Sequence, residues 1–143
     1  HTNHPRFSID FVGPVDETVD KRFYELIRKP NVTLSDPCDL AGLNFEGTLA
    51  AFIPYVTQSS TDAITLSNKA LRLLANGLPL LITGMPNFLK ASFVLRAGKT
   101  IAEDLELIAS LPEIFSRVQP SIRNYVNQNT GQERYEQLKS YLH

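Results

Sequence analysis

The chain has 143 residues, 43% hydrophobic and 20% charged, with a net charge of −1, enough for one globular domain with a real core. That charge gives no general attraction to nucleic acid or to an anionic membrane surface. No apolar run approaches the roughly 20 residues that cross a bilayer, no signal-peptide pattern is present, and the single cysteine, Cys38, excludes an intrachain disulfide or a thiolate metal cluster and fits a reducing compartment.

Phe7–Val12 is a short apolar run closed by Gly13-Pro14 and reads as a first strand. Asp16–Lys29 reads as an amphipathic helix with Val19, Phe23, Leu26 and Ile27 as its buried stripe. Acids at Asp16, Glu17 and Asp20 and bases at Arg28 and Lys29 suit its dipole. Asn31–Leu34 is a second short strand; Asn31-Val32-Thr33 also matches a glycan-acceptor triplet, a pattern common by chance. Asp36–Phe45 stays open between coil and one or two helical turns anchored by Leu40 and Leu43. Thr48–Pro54 is a third apolar strand, and Gln58–Thr65 a polar loop.

Leu66–Thr83 is the most informative stretch. Asn68 is the expected N-cap of a helix. Ala70, Leu71, Leu73 and Leu74 form its inner side, and Lys69, Arg72 and Asn76 share the other. Gly77 supplies a left-handed cap, Pro79 stops the helix, and Leu80–Thr83 follows as a buried strand. Gly84–Lys90 is loop and Ser92–Arg96 a fifth strand. Thr100-x-x-Glu103 opens a helix to about Ser110, with Leu105, Ile108 and Ala109 inward. Pro112–Asn127 is a helix with Phe115, Val118, Ile122 and Val126 as its stripe, which Pro120 should kink or divide. Thr130-x-x-Glu133 opens a last helix whose apolar side is Tyr135, Leu138 and Leu142.

This alternation predicts an α/β fold: a Rossmann-like, mostly parallel sheet of about five strands, flanking helices and two or three C-terminal helices, spanning 6–143 as a single domain. Residues 1–5 are read as disordered or artificial. A first residue other than methionine, with Met85 the only one, suggests a piece of a longer protein.

Parallel sheets bind ligands at the carboxyl ends of their strands. Gly13, Tyr55 and Ser67–Lys69 all fall just past strand ends or at a helix start. Ser67, Asn68 and Lys69 bring free N–H groups and a cation together, which suits a diphosphate; spacing alone favours an ordinary cap beside a solvated lysine. Tyr55 either stacks on a base or covers the sheet edge, and Asn87 is a lesser candidate for touching a sugar. All three histidines are terminal. There is no phosphate-binding GxxxxGK[ST], no GxGxxG, no HExxH and no nucleophile elbow. Asp10, Asp16, Asp36 and Asp39 are candidate acids that helix capping explains as well.

The run Ser67-Asn68-Lys69-Ala70-Leu71-Arg72-Leu73-Leu74-Ala75-Asn76-Gly77-Leu78-Pro79-Leu80-Leu81 resembles the pattern Pro-x-Lys-x-x-Glu-Tyr-Leu-Ala-Ala-Gly-x-Pro-Val-Val of the C-terminal, donor-binding domain of bacterial GT-B glycosyltransferases. Lys69, Ala75, Gly77 and Pro79 match; Ser67 replaces the proline and Arg72 the glutamate. Asp10–Val15, Pro30–Leu34 and Phe52–Tyr55 follow the family's order, so the resemblance spans roughly residues 6 to 110. It implies a nucleoside-diphosphate sugar as donor substrate, held by Gly13, Tyr55, Ser67, Asn68, Lys69 and Arg72, with no metal and no further cofactor. The catalytic base belongs to the family's N-terminal acceptor domain, so no catalytic residue is assigned and the chain alone is expected to be inactive. The whole protein would be a hexosyltransferase of polysaccharide or cell-envelope synthesis, cytoplasmic, at the inner face of the membrane.

The family glutamate accepts from ribose hydroxyls, whereas arginine only donates. Arg72 therefore points either to a phosphate contact or to a non-catalytic module of the same fold. A flavodoxin-like or receiver-like domain is the other alternative, disfavoured because no paired acid follows Asp10 at the strand tip. The family's first strand has no counterpart before Arg6. Phe7–Val12 is then expected to pair directly with Thr48–Pro54, or a homodimer to cover the exposed sheet edges.

Overall fold

The computed structural model describes residues 7–16, 18, 20–133 and 139. The chain is α/β, and its parallel strands form two short sheets in place of the single five-stranded sheet expected. It divides into two compact units, His1–Asn44 and Phe45–His143.

In the first unit, β1 (Ile9–Val12) pairs in parallel with β2 (Val32–Ser35), Ile9 opposite Val32. The expected direct pairing of the first strand with the third is not made: the two strands belong to different sheets. The connecting helix α1 is only Lys21–Leu26, shorter than the expected Asp16–Lys29. Asp20 explains the late start: its side chain caps the Arg22 N–H at 2.8 Å, so the helix begins after it. Asp16 makes its own turn by accepting from the Thr18 N–H and hydroxyl, each at 2.7 Å. Of the predicted stripe, Phe23 and Ile27 are half-buried and Leu26 is exposed; Val19 lies outside the described residues. Phe23 meets Phe11 edge to face at 5.2 Å. Among the described residues of this unit Val32 is the buried apolar one, while Ile9, Val12 and Leu34 are exposed. The open stretch Asp36–Phe45 holds one 3-10 turn, Leu40–Gly42, capped by Asp39.

The second unit holds the core. Its sheet runs β3 (Ala51–Ile53), β4 (Leu80–Ile82), β5 (Val94–Arg96), all parallel and in chain order. Every β4 residue is buried. The polar loop expected at Gln58–Thr65 contains a one-turn helix, α2 (Ser59–Asp62). Next comes α3 (Asn68–Ala75), which buries Ala70, Leu73 and Leu74. Gly77 at φ +77 ends it, with its N–H on the Leu74 carbonyl and the Leu78 N–H on that of Leu73. This is the left-handed stop the sequence anticipates.

Strands β4 and β5 are joined by residues 83–93 without a helix, although parallel neighbours usually need one. This crossover buries Met85, Phe88 and Phe93 instead. Arg96 staples it by donating to the carbonyls of Met85 at 2.9 Å and Phe88 at 3.0 Å.

Helix α4 (Ile101–Ala109) starts at Thr100, whose Oγ1 accepts from the Glu103 N–H. Its inner side is the expected one only at Ile108, which with Leu107 is half-buried, while Leu105 and Ala109 are exposed. Helix α5 (Leu111–Gln128) passes through Pro120 undivided. It buries Leu111, Ile114, Val118 and Ile122. The exposed position of Pro120 lets water serve the Ser116 carbonyl that its missing N–H would have satisfied. Gln119 donates to the Gly77 carbonyl at 2.8 Å, tying α5 to the end of α3. Thr130 caps the start of a helix at 131–133 by accepting from the Glu133 N–H; Tyr135, Leu138 and Leu142 lie outside the described residues.

Gly84 and Gly47 both hold positive φ, +64 and +76, so alanine at either meets the left-handed penalty of about 1–2 kcal/mol. Around Gly47 there is open space, whereas a Cβ on Gly84 would overlap the Tyr55 carbonyl. Gly84→Ala should therefore lower unfolding free energy by roughly 2 kcal/mol more than Gly47→Ala. Urea denaturation of the two variants measures the difference.

Candidate functional site

Topology fixes one edge of the second unit as the place where loops gather. β3 and β4 run in parallel, and α3 returns between them. Only Asn76–Pro79 separate the end of α3 from β4, and Pro79 accepts from the Ala51 N–H at the start of β3. The C-terminus of α3 is thus at the amino edge of the sheet. Eight residues of helix rise about 12 Å, which carries its N-terminus to the carboxyl edge. Tyr55, two residues past β3, lies at that edge as well.

The N-cap of α3 is Ser67, not Asn68: Ser67 Oγ accepts from the Ala70 N–H at 3.2 Å. Ser67 is half-buried and used by this bond. Asn68 and Lys69 occupy the first two helical positions, where backbone N–H groups point out of the helix, and both side chains are exposed. Arg72 is exposed one turn on, and Asn76 donates from its side chain to the Arg72 carbonyl at 2.8 Å. Gly13 belongs to the first unit, where it follows β1 and donates to the Ser35 carbonyl.

The backbone of 55–58 is held more firmly than any sequence signal suggests. Thr83 Oγ1 accepts from the Tyr55 N–H at 3.1 Å, and its hydroxyl donates to the Tyr55 carbonyl at 3.0 Å. Gly84 packs against the same carbonyl and against Val56. On the other side the buried Thr61 hydroxyl sits between the carbonyls of Val56 and Gln58, at 3.2 and 2.8 Å, and accepts from the Gln58 N–H at 3.0 Å. Asn87 is occupied here too: its side chain donates to the Asp62 carbonyl, and the Leu89 N–H reaches Thr65. The loop after β3 and the crossover after β4 are therefore stitched together. Thr61, Thr83 and Gly84 escape a reading by periodicity, because a hydroxyl that bonds backbone leaves no repeat. Gly84 alone carried a signal, as a glycine directly after a buried strand.

Asp10, Asp16 and Asp39 serve local structure, and Asp36 is exposed. Asp10 accepts from the Thr33 hydroxyl across β1 and β2. Asp16 sits below the usual carboxylate range through its two bonds from Thr18. Asp20 is held down at about 2, first by the side-chain bonds from Arg22 and then by the Arg22 backbone N–H. Both are exposed carboxylates held ionised by their own turns, unlike a general acid raised toward neutrality. Two open concavities lie elsewhere, one along α4 and α5 lined by Glu106, Leu107, Ser110 and Glu113, the other at Asn127–Asn129 and Glu133. Among the described residues no group of three or more His, Cys, Asp or Glu could hold a metal, and no helix is long and apolar enough to cross a membrane.

Compared with protein-family models, curated proteins and solved structures, the chain has no match.

The Asp20 cap gives a pH dependence of known sign. Its folded pKa lies below the unfolded value, so its stabilisation is present above about pH 4. It is lost as pH falls through about 2. Carboxyl carbon NMR should find Asp20 titrating near that value, and Arg22→Ala should move the midpoint upward.

Proposed function

We propose that this chain is the donor-nucleotide-sugar half of a GT-B-like glycosyltransferase. The observation that carries the reading is the placement of the α3 N-terminus, with Lys69 in its first turn, at the same carboxyl edge as Tyr55. Free amides and a cation at a helix start favour a diphosphate. They would act most on the charge that grows on the leaving nucleoside diphosphate, where fixed donors lower a barrier most effectively. No metal is needed in this half. The acceptor, the catalytic base and the rest of the sugar-binding surface would come from a separate acceptor domain. A second copy pairing along an exposed sheet edge is a further partner of this reading.

Arg72 favours one rival. Its donors cannot replace a carboxylate that accepts from ribose, so a degenerate site in a non-catalytic partner-binding module is the second reading.

Calorimetry against a panel of nucleoside diphosphates and their sugars separates the two. The transferase reading expects binding that Lys69→Ala weakens by roughly 1.5–3 kcal/mol, the scale of a charge-assisted hydrogen bond. The degenerate module expects no binding by the natural chain and a gain on Arg72→Glu. If neither protein binds any member of the panel, both readings fail.

A further inference from the structure

Residues 55–58 combine two properties that do not ordinarily occur together. All four side chains, Tyr55, Val56, Thr57 and Gln58, are exposed, so the segment buries little and contributes little to the core. Yet its backbone is bonded from both flanks, by Thr83 at Tyr55 and by Thr61 at Val56 and Gln58. Gly84 lies so close beneath Tyr55 that no side chain fits there. Ordering a surface segment costs conformational entropy, and here no buried apolar side chain of its own offsets that cost.

What the order does achieve is a fixed direction for Tyr55. Tyr55 remains 42% exposed, on a backbone bonded from both flanks. An exposed aromatic on a pinned backbone at the carboxyl edge of a parallel sheet has the form of a stacking platform, since its backbone has little freedom left to lose on binding.

We propose that Thr83 and Gly84 are positioning residues that hold Tyr55 ready to stack on the flat heteroaromatic ring of a nucleobase. This rests on the nucleotide-donor reading above and assigns the base to Tyr55 and the phosphates to the α3 N-terminus. Thr83 touches the ligand only through Tyr55. Its methyl and hydroxyl are therefore separable: serine keeps the reciprocal bond and valine keeps the shape without it.

The test is NMR titration of the 143-residue chain with uridine and adenosine monophosphates, ribose 5-phosphate and inorganic pyrophosphate. The Tyr55 ring resonances are followed in each. Nucleoside monophosphates should shift them through ring current, and ribose 5-phosphate should not. Thr83→Val should weaken nucleoside monophosphate binding at least about fivefold, the lower end of a base–aromatic stack. It should leave pyrophosphate binding unchanged, and Thr83→Ser should restore the natural affinity. Tyr55→Leu, at an exposed position, should keep the fold and lose the same increment.

Pyrophosphate binding without a base-dependent shift at Tyr55 overturns the platform and leaves the donor reading standing. A base-dependent shift without pyrophosphate binding keeps the platform and removes the diphosphate seat. No binding by any probe overturns both. Equal nucleotide affinity in folded Thr83→Val and in the natural chain overturns the positioning role.

Discussion

Everything in the second unit depends on the burial of β4. Leu80 and Ile82 are fully inaccessible and Leu81 nearly so, and both edges of the strand are paired, to β3 and to β5. A strand with no edge and no face left for water has a single stable register, because a slip of one residue would turn its side chains to the wrong partners. That register places the carboxyl tips of β3 and β4 together, which is what allows the hydroxyl of Thr83 to meet both polar groups of Tyr55. α3 runs into the same strand through the short link Asn76–Pro79, and Gln119 of α5 donates to the Gly77 carbonyl within that link. Burying roughly three large aliphatic side chains in one strand is worth several kcal/mol in transfer terms alone.

The two units differ in how they meet this requirement. Phe45–His143 buries apolar residues from α3, β4, the crossover and α5. His1–Asn44 buries Val32 and leaves Ile9, Val12, Tyr24, Leu26 and Leu34 exposed. A two-stranded sheet with one short helix is marginal in water on its own. Strand alternation in the sequence is the same in both parts, so the reading of one continuous sheet could not distinguish them.

How legible each element was follows from its physics. α3 was readable almost to the residue, because apolar spacing, a left-handed glycine and a proline stop all agreed. Only its cap was misplaced by one position, since Ser67 and Asn68 are both good caps and the choice depends on backbone angles. The helix over Asp16–Lys29 was overestimated because Asp16 forms a turn with Thr18 and Asp20 caps a helix that begins only at Lys21. α5 survived Pro120 because that residue faces outward on a helix anchored by Ile114, Val118 and Ile122; packing outweighed the missing bond. At the candidate site, Ser67–Lys69 could be located from pattern and Tyr55 from its place after a strand. Thr61 and Thr83 could not, since their hydroxyls bond backbone and no local pattern records that; Gly84 was marked only as a glycine after a buried strand.

The crossover between β4 and β5 has a consequence for how this protein can vary. Loops ordinarily absorb insertions because they lie over the surface and bury nothing. Residues 83–93 are coil, yet Met85, Phe88 and Phe93 are core residues, and Arg96 grips two of their carbonyls. Adding a residue there would pull an aromatic ring out of the core as surely as a deletion inside α5. The segment drawn as a connection thus has the fixed length of a structural element, and divergent versions of this chain should vary in length elsewhere.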